Sequence, residues 1–297
     1  MIDDKLKEDI NNIVWWIPIK KLRNSLRNIL LKFFEYNNNN NNNNLIDEIY
    51  SNTVLLAYKL NVDNYNKPYV LSVMYNNKKI FFHAEEMQDF IAFTYLKNIK
   101  KNFGNGFFIE IGAHDGISGS TTKVFESIGW NGICVEPNPN LFKKLIENRS
   151  CDCINAAISS ENIEFVKFIN ILNNGSFRSF LAFGLSDEDI KIKLNNIQKA
   201  IYNKLNKYDK LDIEELYVNV QKFKTILDNY KEINHIDFMS IDVEGGEYNI
   251  VKTIDFAKYT FSCVTIESHS NEVRDVFIRN GYKLLCSTTS DDIFVKK

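Results

Sequence analysis

Residues 107–120 read FFIEIGAHDGISGS. The first five are an apolar run with a single acid, which predicts a short buried strand. Glycines follow at positions 112, 116 and 119, and they predict a loop in which the backbone comes close to a ligand. Residues 121–128 then predict a helix. A strand, a glycine-bearing loop and a helix in this order are typical of nucleotide-binding α/β proteins.

The second predicted strand ends in an acid. Residues 132–137 read GICVEP, so Glu136 stands where such sheets accept hydrogen bonds from ribose hydroxyls. A dinucleotide loop needs G-x-G-x-x-G, but Ala113 and His114 follow Gly112. The missing G-x-G disfavours a dehydrogenase, and the E-x-G-x-x-x-G spacing favours the loop of a class I methyltransferase. The alternative without a ligand is a plain strand-to-helix turn.

A second string gathers acids at a strand end. Residues 236–256 read IDFMSIDVEGGEYNIVKTIDF, and residues 238–243 predict a central strand. Asp242, Glu244 and Glu247 cluster at its end, where like charges are costly to bring together without a cation or a proton. The macrodipole of the next helix explains Glu247. It does not explain Asp242, which closes the apolar run.

The remaining elements alternate between strand and helix. Strands are predicted at 153–159 and 262–269, and helices at 138–148, capped by Asn138, and at 271–280. This alternation predicts a doubly wound, mostly parallel sheet with its ligand outside the carboxyl ends of the strands. Residues 282–297 predict a hairpin that inserts an antiparallel strand, as methyltransferases have and dinucleotide folds lack.

Composition excludes several classes of function. Among 297 residues, 36 are basic and 38 acidic, so no overall charge attracts nucleic acid, and none is expected as a partner. Five cysteines without repeated spacing do not form a disulfide framework, which fits a reducing compartment. No apolar stretch reaches the ~18–20 residues of a spanning helix, and the polar N-terminus does not resemble a signal peptide. A cytoplasmic protein is expected.

The N-terminal part divides from the rest by composition. Residues 1–44 are predicted to be an amphipathic helical arm that ends in an unbroken Asn run from 37 to 44, residues 45–100 an accessory segment, and residues 101–297 the catalytic domain. Within the arm, residues 13–36 place two tryptophans before an apolar stripe with a basic opposite face. This pattern favours either a peripheral membrane contact or a helix packed on protein.

From about residue 85 to residue 297, the chain resembles the FkbM family of S-adenosylmethionine-dependent methyltransferases. The strings that carry the resemblance are GFFIEIGAHDGISGSTT, GWNGICVEPNPNLFKKLIENR, NAAIS, IDFMSIDVEGGEYNIVKTIDF, VTIESH and GYKLL…DDIFVKK. It is weakest over residues 169–230, where acceptor-side loops and two Lys/Asn-rich helices are expected. Position 270 is a serine where the family more often has an asparagine.

The resemblance implies a Rossmann-like class I fold, S-adenosylmethionine as cofactor and methylation of oxygen, often in sugar hydroxyls of polysaccharides or glycolipids. It also assigns the cofactor residues by motif position. The methionine part is assigned to Glu110, Gly112, His114, Asp115 and Gly116. The ribose is assigned to Glu136, the adenine to Pro137, Asn138, Asn155 and Ala156, and the region between the cofactor amino group and the acceptor to Asp242.

Transfer of a methyl group to a hydroxyl needs in-line geometry and usually a base. His269 is predicted as the base because it follows a strand at the cofactor edge, and Glu244 is the second candidate. A divalent metal at Asp242 and Glu244 remains an alternative by acidic clustering, and no metal ligand is predicted. The alternative of another class is a catalytically silent fold that serves as a scaffold in a glycan assembly complex.

Overall fold

The computed structural model describes residues 72–160, 163–172, 178–205, 210–230 and 232–297. Residues 1–71 lie outside the described residues. The predictions for the arm, for the Asn run and for contact with a membrane or a glycan complex therefore stay predictions. Within the described ranges, no helix has the length and apolar character needed to cross a membrane.

The strands of the described residues follow the chain in this order: β1 (Ser72–Tyr75), β2 (Lys78–Phe81), β3 (Phe107–Ile111), β4 (Asn131–Val135), β5 (Asp152–Ile154), β6 (Ala157–Ile158), β7 (Phe165–Ile171), β8 (Phe180–Leu181), β9 (Ile213–Gln221), β10 (His235–Ile241), β11 (Thr260–Ile266), β12 (Tyr282–Ser287) and β13 (Asp292–Lys296). The helices are α1 (Gln88–Ile99), α2 (Lys123–Ser127), α3 (Pro139–Asn148), α4 (Asp187–Leu205), α5 (Phe223–Asp228), α6 (Glu247–Val251) and α7 (Asn271–Arg279).

A seven-stranded sheet forms the centre, in the spatial order β12-β13-β11-β10-β3-β4-β5. The run from β11 to β5 is parallel, and β13 is antiparallel to both of its neighbours. The doubly wound sheet with an inserted C-terminal antiparallel strand is therefore confirmed. The chain order reverses between β3 and β10, and such a switch point is where open α/β sheets bind ligands.

The central strands form because they are apolar on both faces. In β10, every residue after His235 is buried, and β3 is buried from Phe108 to Ile111. A strand covered by helices on both sides needs apolar residues at consecutive positions rather than at alternate ones. The strands thus hold the core, and their few buried polar residues include Glu110 in β3 and Asp237 near the start of β10.

Helix α1 ties the preceding hairpin to this sheet. At one end of α1, Gln88 Nε2 donates a hydrogen bond to Asp291 Oδ2 at 2.8 Å. Just beyond its other end, Lys100 Nζ lies 2.6 Å from Asp237 Oδ1, near the start of β10. The helix therefore spans the sheet from its carboxyl edge to its amino edge, and residues 72–297 form one compact unit.

Two predictions about secondary structure are wrong. The strand expected at 153–159 is interrupted at Asn155 and Ala156, so β5 ends the central sheet and β6 joins another. In the weakly matching region 169–230, α4 and α5 supply the two expected helices, but β8, β9 and the end of β7 stand where loops were expected, in a second sheet with the order β6-β9-β7-β8. In β9, buried Val218 and Val220 alternate with exposed residues. This period of two is a strand signal, which the many Lys and Asn residues nearby conceal.

Candidate active site

The carboxyl ends of β3, β4 and β10 and the residues just after β11 open into one cleft of about 290 Å³. Several predicted site residues line it: Gly112, His114, Glu136, Pro137, Ala156, Asp242 and Glu244. The others stand behind or beside it: Glu110, Asp115, Gly116, Asn138, Asn155 and His269. The cleft lies at the sheet's switch point, where the topology predicts a ligand site.

Gly112 is a glycine because of the protein's own packing. Its φ is +87°, and a Cβ at this position would lie 1.7 Å from the carbonyl oxygen of Asp242. A side chain here would therefore displace the end of β10 as well as block the approach of a ligand. The close approach that the structure describes is to the backbone of this chain, and the predicted approach to a ligand stays a prediction.

Glu136 is the buried acid of the cleft. Its Oε2 accepts a hydrogen bond from the His114 backbone N–H at 2.9 Å, and its Oε1 accepts one from the Asn138 N–H at 2.8 Å. Burial raises the pKa of Glu136 to about 8, and the nearby Asp242 adds to the shift against these two hydrogen bonds. A carboxylate has about four acceptor sites, so both oxygens keep room for donors from a ligand.

Glu110 faces away from the cleft. Its carboxylate accepts hydrogen bonds from the Ser120 and Thr122 hydroxyls and from the Thr121 N–H at 2.7 Å, and Arg149 Nη1 lies at 3.1 Å. The Arg149 side chain is itself fully buried. Glu110 therefore holds the loop that lines the cleft rather than forming part of the lining.

The other residues outside the lining also have structural partners. The Asp115 carboxylate accepts hydrogen bonds from the Ile117 and Ser118 N–H groups. Asn138 caps α3 by accepting the Asn140 N–H at 3.0 Å. Asn155 Nδ2 donates to the carbonyl oxygens of Glu136, at 2.8 Å, and Pro137. These contacts fix the backbone that presents Glu136.

Gly116 packs against the helix behind the loop. Its φ is +81°, and a Cβ there would lie 2.7 Å from the side chains of Leu145 and Arg149. The loop can therefore lie flat on α3 only with glycine at this position.

Three carboxyl groups meet at the ends of β10 and β11. The side chains of Asp242, Glu244 and Glu267 each place an oxygen within 4.8 Å of the others. Asp242 lines the cleft, and its side chain is exposed to it. Removal from water raises the pKa values of both Asp242 and Glu267, and a hydrogen bond joins the two groups. The two carboxyl groups therefore titrate as one pair that shares a proton.

Glu244 is bound by groups from residues 169–230, the region where the family resemblance is weakest. Its backbone is left-handed, with a φ of +56°. Its Oε1 accepts the Arg178 N–H at 3.0 Å, and its carbonyl oxygen accepts from Lys193 Nζ of α4 at 2.6 Å. Burial raises the pKa of Glu244, and the positive charges of Arg178 and Lys193 oppose the shift.

The structure does not support His269 as the base. Its Nε2 lies 2.9 Å from the Thr289 carbonyl oxygen, and its Nδ1 lies 3.0 Å from Asp292 Oδ1. The hydrogen bond to Thr289 raises its pKa, and Asp292 contributes in the same direction. Both ring nitrogens thus act as donors to the C-terminal hairpin, and the ring does not line the cleft. Strand β11 ends at Ile266, and the turn that follows carries His269 away.

Glu247 is a helix-terminal residue, as the macrodipole argument predicts. Its carboxylate accepts the N–H groups of Gly245 at 2.9 Å and Gly246 at 3.0 Å. It belongs to the turn before α6, and it does not line the cleft.

The sequence analysis missed Glu267, Arg149 and Lys193 as parts of this site. Glu267 follows an apolar strand run as Asp242 does, so its position was a usable signal. Arg149 and Lys193 are single cations on surface-like helical segments. Nothing local to the sequence distinguishes them from solvated charges.

The cleft fits an adenosine-bearing cofactor. Glu136 keeps acceptor capacity for a pair of ribose hydroxyls, and apolar side chains adjoin it for a ring, namely Val135, Leu141, Ala156, Ala157, Ile158 and Leu181. The acid and the apolar wall lie on the same side of the Gly112 loop. These are the features that distinguish a nucleoside site from a plain turn.

A family model described as the methyltransferase FkbM domain matches residues 110–284. That range contains β4, β10, β11, the end of β3 and all of the predicted site residues. A search of curated protein sequences returned no match.

Among solved structures, the chain is similar to precorrin-6y C5,15-methyltransferase from Geobacter metallireducens, with 9% identity, a TM-score of 0.34, and coverage of 72% of this chain and 93% of that one. It is also similar to Aeropyrum pernix fibrillarin with natively bound S-adenosyl-L-methionine, with 12% identity, a TM-score of 0.33, and coverage of 77% and 82%. Similarity at this level assigns no role to any residue of this chain.

Proposed function

The chain belongs to the FkbM family of methyltransferases, and on that premise we propose that it transfers the methyl group of S-adenosylmethionine to a sugar hydroxyl of a polysaccharide, glycolipid or related glycan. One observation carries the proposal. Glu136 and Asp242 follow β4 and β10, on either side of the Gly112 loop after β3, and both line one cleft. A carboxylate that can accept hydrogen bonds from a nucleoside and a carboxylate that can accept a proton thus lie together at the switch point of the sheet.

Each side of the cleft has a distinct task in this proposal. When bound, S-adenosylmethionine supplies a methyl group on a positively charged sulfur, and this group passes to the acceptor oxygen. Glu136 accepts hydrogen bonds from the ribose hydroxyls, and the loop from Gly112 to His114 lies beside the methionine part. Asp242 faces the acceptor from the opposite side.

Asp242 accepts the proton of the acceptor hydroxyl at a carboxylate oxygen as the new carbon–oxygen bond forms. A hydroxyl is a weak nucleophile until its proton is taken, and a positioned base contributes typically ~10²–10⁴-fold. Asp242 qualifies because it is open to the cleft while its raised pKa makes it a stronger base than an ordinary aspartate. Glu244 lines the same wall, but its carboxylate already accepts the Arg178 N–H.

The mouth of the cleft supports a polyhydroxyl acceptor. It carries carboxyl, amide and hydroxyl groups, namely Glu85, Glu86, Gln88, Ser179, Ser290 and Asp291. Groups of this kind exchange hydrogen bonds with sugar hydroxyls, and several of them already bond to one another, as Gln88 Nε2 does to Asp291 Oδ2.

The test is a transfer assay with the full chain. Methyl-labelled S-adenosylmethionine is incubated with a panel of glycans and lipid-linked sugars, and mass spectrometry locates the methyl ether. Asp242→Asn should lower the rate by at least ~10²-fold because it removes the proton acceptor. His269→Gln, which changes a group outside the cleft, should retain the rate.

Two results would contradict the proposal. If calorimetry finds no binding of S-adenosylmethionine to the full chain, the fold is a silent scaffold. If Asp242→Asn methylates as fast as the unchanged chain while Glu244→Gln does not, the base is Glu244.

A further inference from the structure

Three thiols gather behind the cofactor loop. Cys134, in β4, is fully buried, whereas Cys151, just before β5, is partly exposed. Their sulfurs are 3.5 Å apart. The Cys153 thiol points at the Cys151 carbonyl oxygen, also at 3.5 Å.

The surroundings make the two thiols chemically unequal. Interactions with the Cys134 and Cys153 side chains lower the pKa of Cys151, and the buried guanidinium of Arg149 adds to the effect. Burial raises the pKa of Cys134, which lies 3.7 Å from Glu110 Oε2. The exposed sulfur is therefore the better nucleophile, and the buried one is protonated.

We propose that Cys151 and Cys134 form an oxidisable dithiol site that a hydroperoxide converts to a disulfide. The Cys151 thiolate attacks the peroxide oxygen, the oxygen–oxygen bond breaks, and sulfenic acid and hydroxide form. The Cys134 sulfur then attacks the Cys151 sulfur, the sulfur–oxygen bond breaks, and one water leaves. Two thiols lose two electrons, which reduce one peroxide to two waters.

The geometry selects Cys134 as the partner. From 3.5 Å the two sulfurs must approach by about 1.5 Å to reach a disulfide bond of ~2.05 Å. Cys151 precedes β5 and lies outside its ladder, so side-chain and local backbone rotation can supply this movement. Cys153 lies within β5, two residues away in sequence, and a bridge across so short a loop would distort the strand.

The site lies directly behind the loop that lines the cleft. Arg149 donates to the carbonyl oxygen of Gly116 at 3.3 Å and to Ser120 Oγ at 3.2 Å, and it also contacts Glu110. The dithiol therefore shares its charged neighbours with the cofactor loop. Oxidation of the dithiol does not depend on methyl transfer, so it can be measured without a methyl-acceptor substrate.

The test begins with the full chain, reduced and then treated with hydrogen peroxide. Non-reducing peptide mapping should find a bond between Cys134 and Cys151. Before the bond closes, Cys151 should react at least ~10-fold faster than Cys286, because burial raises the pKa of the Cys286 thiol to about 12 and leaves almost none of it as thiolate at neutral pH. A Cys151–Cys153 bond, or equal reactivity of Cys151 and Cys286, would overturn the proposal.

Variants separate the two roles. Cys151→Ser should abolish the bond, and Cys286→Ser should leave it unchanged. In Cys134→Ser the sulfenic acid at Cys151 should persist and be trapped by dimedone. If that buried variant fails to fold, peptide mapping of the unchanged chain still decides which two sulfurs are joined.

Discussion

A bound ribose is expected to displace a proton from Glu136. Its pKa is raised to about 8 by burial. Ribose hydroxyls donate to the charged form, so binding lowers that pKa. Affinity is then full above pH 8 and falls as the pH drops through this value, by up to about tenfold per unit.

The expected result is measurable with 5′-methylthioadenosine, which has the adenosine part of the cofactor without its titrating amino acid. Calorimetry between about pH 6 and 9 should show affinity rising with pH and a proton released on binding. Glu136→Gln should bind more weakly, by about 1–3 kcal/mol, and without this pH dependence. Equal pH profiles for the two proteins would remove Glu136 from the ribose site.

Glu267 is expected to position Asp242 by donating the shared proton. Glu267→Gln keeps a donor and should retain methyl transfer with the acid limb of the rate profile near its original pH. Glu267→Ala removes the donor, so the Asp242 carboxylate is less stabilised and the limb should move to higher pH, with a loss of about tenfold at neutral pH.

The same two variants test a divalent metal at this cluster. If Glu267 is a metal ligand, both Glu267→Gln and Glu267→Ala should lose methyl transfer, and added metal should partly restore the rate. Kinetics of kcat/KM across pH distinguish the two outcomes, because only the proton-sharing pair predicts that glutamine rescues alanine.

At the scale of helices and strands, the sequence predicted those features that are determined by residues close together in the chain. Glu136 and Asp242 were found because each closes an apolar strand, and Asn138 because a cap precedes a helix. His269 was chosen for its chemistry, but its partner Asp292 is 23 residues further along the chain. The residues next to His269 in the sequence do not indicate a contact with a residue so far along the chain. The pairing of β9 with β7 is likewise not indicated by the sequence near either strand.

Ser270 has a structural task that the sequence left open. It caps α7, its Oγ accepting the Val273 N–H at 3.2 Å, and this helix buries Val273 and Phe277 in the core. Ser270→Ala should therefore lower the free energy of unfolding by about 1 kcal/mol in urea titrations. Ser270→Asn supplies an equally good cap and should be near neutral. A neutral alanine variant would show that the cap does not stabilise α7.

At the scale of the whole molecule, one buried cation joins the strand, the helices and the loop around the cofactor cleft. Arg149, just after α3, contacts Glu110 of β3, Glu126 of α2 and the Gly116 carbonyl of the loop. Burying the guanidinium removes it from water, which is unfavourable. Its partners offset this lost solvation free energy only when all of them are present. The arrangement therefore specifies how these elements meet more than it adds net stability.

Arg149→Met should be strongly destabilising because it leaves Glu110 charged and unpaired in the interior. The expected loss is about 3–5 kcal/mol in urea unfolding, and binding of S-adenosylmethionine should weaken with it. Adding Glu110→Gln should recover part of the loss, since the unpaired charge is gone. Arg279→Met is the matched control: it breaks an exposed pair with Asp275 and should cost less than about 1 kcal/mol. Additive losses in the double variant would show that Arg149 acts by packing and not by compensating Glu110.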